Sequence, residues 1–217
     1  MKIVLGLGNP GRRHRRDRHN VGAMVVDRMA ERFEVGLDRV AHNARVGEID
    51  LAGERVLLMQ PQTYMNLSGE VAASVARYYH LDVEAFVAVY DDMDLPVGRV
   101  RVRRDGGAAG HRGVMSLIEH LGDRQFPRVR LGVGRPPEGQ EPADFVLSAF
   151  SGAEWGTMDA AIGLAADAVE VLICEGPDRA MSRYNAAAQV ELVRPEEGTE
   201  DARGPRNVRV RPAREGE

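Results

Sequence analysis

The chain has 217 residues, enough for one domain with a sizeable core, and 43% of them are apolar. No apolar run approaches the roughly 18 residues of a membrane span, and the start MKIVLGLG lacks the charged stretch, long apolar region and cleavage site of an export signal, so a cytoplasmic protein is expected. A net charge of −4 excludes a generally basic nucleic-acid binder, and a lone cysteine, Cys174, excludes an internal disulfide or a cysteine metal cluster.

KIVLGL reads as a buried strand ending in glycine. Helical spacing starts only at Val21, with Val21, Val25 and Met29 on one stripe and Val26, Ala30 and Phe33 beside it. RVLLMQ (55–60) is the next strand; Pro61 turns the chain into QTYMN, and Ser68 and Glu70 open a helix carrying Val71, Val75 and Tyr78. FVAVY (86–90) is a strand that ends in the acidic cluster DDMD. In GRVRVRR, Val100 and Val102 alternate with Arg99, Arg101 and Arg103, which predicts a strand with one dry face and one basic face. GGAAGHRG leads into the helix GVMSLIEHL, followed by the strand RVRLGVG (128–134), a Pro/Gly loop and the short segment DFVLSAF. A long amphipathic helix is expected over 153–175, with Cys174 as a buried thiol, and Gly176-Pro177 separates it from a last helix ending near Val193. From Pro195 onward 11 of 23 residues are charged, so 194–217 reads as a disordered tail behind a domain of residues 1–193. Strands alternating with helices make the domain α/β.

Phosphate recognition in such an acidic chain must come from local patches. Two are visible: Arg12, Arg13, Arg15, Arg16 and Arg18, and Arg99, Arg101, Arg103 and Arg104. The ratio of 28 arginines to one lysine, Lys2, carries no functional information by itself, because codon bias produces it too.

Gly6-x-Gly8-x-x-Gly11 looks like a dinucleotide fingerprint, but a true one starts its helix at the second glycine and closes the next strand with an acidic residue. Here Asn9-Pro10-Gly11 is a turn signal, eight residues without apolar periodicity follow, and Asp27 falls inside the helix. The glycines therefore read as a tight turn after a strand. His19 ends a polar loop just before a helix, where it can reach a cleft, whereas His42, His80 and His120 read as ordinary histidines. Asp91, Asp92 and Asp94 close the FVAVY strand at the edge where open α/β sheets gather their sites, and one of them can orient an imidazole. No G-x-S-x-G elbow occurs, so a hydrolase built on this chain would activate water, with Asn9, Asn20 and Asn66 as carboxamides at element ends. The residues alone point to a metal-free hydrolase acting on something that bears phosphate.

In this order and spacing, GLGNPG with RHNVG, QPQTYMNLSGE, YDDMDLPVG, GGAAGHRG and RVRLGVGRP closely resemble the bacterial peptidyl-tRNA hydrolase family over about residues 2–190. The resemblance implies a monomeric, cytoplasmic enzyme with a single twisted mixed β-sheet between helices and no cofactor, cleaving the ester between a peptide and the 3′ ribose of tRNA. It makes His19 the general base, Asp91 the group that holds it, and Asn9 and Asn66 the groups that position ester and water. Tyr64, Met65 and Asn66 would line the substrate groove with His14 and Arg112, while Arg101, Arg103 and Arg130 would meet tRNA phosphate. The chain departs from the family pattern at His14, where a tyrosine is usual, at Tyr90, where a histidine is usual, and at Arg112, where an asparagine is usual. A non-catalytic RNA-binding relative of the same fold is the alternative, and retention of His19, Asp91, Asn9 and Asn66 together speaks against it. A nucleotide-dependent oxidoreductase comes third.

Overall fold

In the computed structural model, which describes residues 1–186, the N-terminal apolar run Lys2–Gly6 is the central strand β1 of a seven-stranded sheet. The other strands are β2 (Arg39–Ala41), β3 (Ala44–Leu51), β4 (Glu54–Pro61), β5 (Phe86–Asp92), β6 (Val100–Arg103) and β7 (Arg128–Gly132), in the order β2-β3-β4-β1-β5-β7-β6. β4, β1, β5 and β7 run parallel, and β2, β3 and β6 pair antiparallel at the two ends. The expected twisted mixed sheet between helices is the observed one.

The helices are α1 (Val21–Arg32), α2 (Ser68–Tyr79), α3 (Arg112–Leu121), α4 (Pro142–Val146), α5 (Gly152–Glu175) and α6 (Pro177–Asn185). Alternation along the strands splits the core in two. Val4, Val87, Val89 and Val129 meet α1 and α5 on one face, while Ile3, Leu5, Phe86 and Ala88 meet α2 and α3 on the other. Both faces of β1 and β5 are thus dry, and near-continuous apolar runs are what doubly covered parallel strands require.

The hairpin β2–β3 was not expected from the sequence. His42 and Asn43 take φ of 53° and 56°, and Ala52 and Gly53 take 53° and 85°, so two left-handed two-residue turns fold 39–61 back and forth. Cys174 is exposed rather than buried: two residues past the buried Leu172, a helix has turned by about 200°. The last helix is described to Asn185, and its expected end near Val193 and the expected tail 194–217 lie outside the described residues.

Gly22 allows α1 to approach the sheet. A Cβ there would lie 2.1 Å from the Val89 carbonyl oxygen and 2.7 Å from the Leu7 nitrogen, so no side chain fits without separating helix from strand. Gly22→Ala should therefore destabilise the protein by about 3 kcal/mol or more, at the upper end for an overpacked core. Urea unfolding of the two proteins measures the difference, and a loss below about 1 kcal/mol would show that α1 shifts at little cost.

Candidate active site

The loops leaving the C-terminal ends of β1, β4 and β5 meet at one edge of the sheet, where open α/β folds bind ligands. They surround a cavity of about 1100 Å³. Asn9 from the first loop, Tyr64, Met65 and Asn66 from the second, and Asp91 and Asp92 from the end of β5 all line it, together with His14 and His19.

The turn after β1 is held by one side chain. Asn20 accepts a hydrogen bond from the Asn9 backbone N–H at 2.9 Å and donates Nδ2 to the Asn9 carbonyl at 2.9 Å, so its amide pairs with the peptide as a neighbouring strand would. Gly8 makes room for this, since a Cβ there would come within 3.0 Å of the Asn20 side chain. The Asn9 side chain in turn accepts the Met65 backbone N–H on Oδ1 at 2.9 Å. Its Nδ2, a donor, has no partner among the described residues. The glycines thus serve a tight turn, as the sequence predicts, and α1 begins well after them at Val21.

His19 sits in a single 3-10 turn, Arg18–Asn20, directly before α1. Its Nδ1 lies 2.8 Å from Asp91 Oδ1. The same oxygen is 2.9 Å from Nε2 of His111, a residue the sequence reading did not single out. His111 is the N-cap of α3, and its Nδ1 accepts the Val114 N–H at 3.3 Å, which leaves Nε2 as its protonated nitrogen. With both imidazoles donating to Asp91, the nitrogen of His19 facing away from the carboxylate, Nε2, is free to take a proton. The three atoms lie within 4.8 Å of one another, a spacing that also suits a cation; a protonated His111 Nε2 is a donor there and not a ligand. Burial by itself would raise the Asp91 carboxyl, but the charges and N–H bonds of His111 and His19 outweigh it and hold Asp91 far below the ordinary carboxylate range. The Tyr90 ring lies 4.8 Å from the His111 ring, tilted by 57°.

Each of the three carboxylates at the end of β5 has its own partner. Asp91 takes the imidazoles, Asp92 the Arg130 guanidinium, and Asp94 the Arg135 guanidinium at 2.6 Å. The acidic cluster is a set of orienting groups.

Beyond β5 the helices α2 and α3 no longer cover the sheet. On that open face, register places Arg101 opposite Arg130 and Arg103 opposite Arg128. Like charges facing each other across strands are destabilising, and each member of this square is treated differently. Arg128 is buried and donates to the carbonyls of Gly107 at 2.8 Å, Arg124 at 2.9 Å and Phe126 at 3.3 Å. Arg130 is half-buried and pairs with Asp92. Arg101 and Arg103 make no hydrogen bond or ion pair among the described residues. The positive charge of Arg103, with partial burial and Arg130 behind it, depresses the Arg101 guanidinium below its ordinary range. Arg103 and Arg130 line the cavity, and Arg101 lies just outside it.

The other expected basic patch is dispersed. Arg18 is buried between the rings of Phe145 and Phe150, 4.4 and 4.6 Å from their centroids, and pairs with Glu154 at 2.8 Å. Arg16 lies 5.8 Å from the Trp155 ring centre, and Arg13 donates to His14 Nε2 at 2.8 Å. Sequence spacing suggests a common face, but the 3-10 turns point these side chains in different directions. His14 donates its Nδ1 hydrogen to Asp17 at 2.6 Å, so Asp17 is engaged there and not with His19. Arg112, the first residue of α3, is exposed on the cavity rim and makes no hydrogen bond or ion pair among the described residues.

Residues 3–192 match the family model described as peptidyl-tRNA hydrolase. A peptidyl-tRNA hydrolase of Brevibacillus brevis is 42% identical over 186 residues, covering 86% of this chain and 98% of that protein. One from Kineococcus radiotolerans is 45% identical over 193 residues, with the same shares of each chain. The crystal structure of the Acinetobacter baumannii peptidyl-tRNA hydrolase superposes with a TM-score of 0.82 at 30% identity, covering 88% of this chain and 97% of that one.

Because its folded-state pKa is depressed, Asp91 adds stability that is fully present above the unfolded carboxylate value of about 3.9 and is lost as the pH falls through the lower folded value. Asp91→Asn should therefore cost stability at pH 7 and progressively less below about pH 4. Urea titrations at pH 7 and pH 3 test this, and an equal cost at both would mean that charge is not what Asp91 contributes.

Proposed function

Because the chain belongs to the peptidyl-tRNA hydrolase family, we propose that the His19–Asp91 pair activates the water that cleaves the ester between peptide and tRNA 3′ ribose. The chain is a hydrolase of peptidyl-tRNA, and its site suits that reaction. One observation carries the assignment: His19 donates Nδ1–H to a buried, ionised carboxylate, which leaves Nε2 as a base at the wall of the cavity.

In this reading Nε2 takes a proton from water while the water oxygen bonds to the ester carbonyl carbon. Asp91 stays ionised and stabilises the imidazolium that forms. Asn9 Nδ2 donates to the carbonyl oxygen as negative charge gathers on it, and Asn66, whose side chain has no hydrogen bond within the described residues, holds the water. Collapse of the tetrahedral intermediate breaks the bond to the ribose oxygen, which takes the proton back from His19. His111 does not touch the reacting atoms; it shares Asp91 and fixes the direction of its oxygen. Met65, Tyr64 and His14 line the peptide side, while Arg101 and Arg103 face tRNA phosphate from the open end of the sheet. Arg112, mobile on the rim by virtue of its length and lacking an acceptor, suits a phosphate contact better than a water-holding role. The proposal includes a monomer working in the cytoplasm, where its substrate is made. A purely RNA-binding protein would have no use for a base held this way.

His19→Ala should lower kcat by roughly 100-fold or more with tRNA affinity retained, since general-base catalysis is worth about 10²- to 10⁴-fold. Steady-state hydrolysis of a blocked aminoacyl-tRNA, beside a binding assay with deacylated tRNA, decides it. Near wild-type turnover would remove His19 from the mechanism. Changing Arg101 and Arg103 together to Ala should raise KM far more than it lowers kcat and reduce the salt slope of tRNA binding by about one per lost contact. An unaltered slope would make the basic face merely solvated.

A further inference from the structure

Two imidazole–carboxylate pairs face the same cavity, and they end differently. His19 leans on Asp91 and keeps Nε2 open, whereas His14 donates Nδ1–H to Asp17 at 2.6 Å and accepts the Arg13 Nε–H on Nε2 at 2.8 Å. That nitrogen is occupied and cannot take a proton from water. The second pair is a bracket for Arg13. Asp17 anchors it, with a side chain 9% exposed, a backbone N–H that donates to the His14 carbonyl at 3.0 Å, and a β-bridge to Ala149. The three-residue period of the 3-10 turn sends Arg12 and Arg15 to a different side, where they line a small separate cavity behind Asn9. Of the five arginines between residues 12 and 18, Arg13 is the one that reaches the main cavity.

We propose that Arg13 is a specificity-determining residue, positioned by His14 and Asp17, that favours substrates whose peptide carries a carboxylate side chain next to the esterified residue. This rests on the reading of His14 as part of the peptide side of the cavity. A carboxylate bonded directly to Arg13 would fix its direction but also neutralise it. The neutral imidazole in between passes on the direction and holds the two charges apart. Arg13 has no ion pair among the described residues, and its Nη groups have no hydrogen-bond partner there. With Nε held by the ring, the rigid fork presents those N–H groups to an incoming acceptor, and a carboxylate matches them in shape and charge. A lysine in the same place meets a fixed positive charge and is disfavoured. The tyrosine usual at position 14 has no second ring nitrogen, so it cannot donate to a carboxylate and accept from Arg13 through opposite sides of one ring.

The test is steady-state hydrolysis of three N-acetyl-dipeptidyl-tRNAs on one tRNA, which differ only in carrying Glu, Gln or Lys before the esterified residue. Wild-type kcat/KM should fall in the order Glu, Gln, Lys, with Glu ahead of Gln by about three- to fivefold, the upper range for a solvent-exposed charged contact. Arg13→Gln should bring the three within about 1.5-fold of one another. His14→Phe keeps the ring volume without an acceptor, and should cut the Glu preference to about twofold or less although Arg13 is still present. A merely structural role of His14 would slow all three substrates alike and keep their ranking. Equal wild-type rates, or a Glu preference that survives Arg13→Gln, overturn the proposal. So does an Arg13→Gln protein that slows all three equally and binds deacylated tRNA more weakly, because the arginine then meets RNA phosphate. Tyr64→Ala, on the same wall, separates the two levels of the reading. If it leaves KM unchanged for all three, the peptide side is misassigned and the role of Arg13 falls with it; if KM rises and Glu is still not preferred, the role of Arg13 falls alone. Arg13 is exposed, and the wild-type ranking decides even if His14→Phe fails to fold.

Discussion

One carboxylate oxygen organises this site. Asp91 Oδ1 accepts N–H groups from His19 and His111, one on a turn that precedes α1 and the other capping α3, so two elements on opposite sides of the central sheet converge on the end of β5. A buried carboxylate without partners would take up a proton, and the two N–H donors hold it in its charged form. That charge sets which nitrogen of His19 is free, and the free nitrogen is the one that can do chemistry.

Around this centre the supporting contacts reach back into the fold. Asn20, next to His19, holds the Asn9 peptide, and Asn9 holds the Met65 backbone, so His19, Asn9 and the cavity wall are linked through three hydrogen bonds of 2.9 Å. On the other side, Arg18 is clamped by Glu154, Phe145 and Phe150, and its backbone N–H donates to the Ser148 carbonyl at 3.0 Å. The segment carrying α4, which supplies Ala143, Val146 and Leu147 to the cavity wall, is therefore latched to the residue preceding His19. Such cross-bracing is what holds a side chain in a turn to the tolerance catalysis needs.

Electrostatically the chain is acidic overall and basic in one place. The open face of β6 and β7 gathers four arginines because strand alternation puts every second residue on one side and antiparallel register sets the two rows opposite each other. Repulsion in the square is relieved by three carbonyls at Arg128 and by a carboxylate at Arg130, and is left standing at Arg101 and Arg103. Attraction for an anion is concentrated at those two.

The sequence alone determined the α/β class, most helices and strands, the turn character of the glycines, the basic face of β6 and the pairing of His19 with an aspartate at the end of FVAVY. These depend on local periodicity, turn chemistry and motif order, all of which are written along the chain. The hairpin 39–51 was harder to read because its buried apolar residues change face, from Ala44 and Val46 to Ile49 and Leu51, and its turn needs a left-handed residue at His42, which carries no glycine signal. His111 stood in view in GGAAGHRG, a histidine at a helix start as His19 is, yet its meaning depends on a partner 20 residues away. Which arginines of β6 and β7 are free and which are spent, and which end of Asn9 faces the cavity, were decided only by the tertiary structure. Those properties belong to pairs of groups distant in sequence, and a charge or an amide has no assigned role until folding supplies its partner.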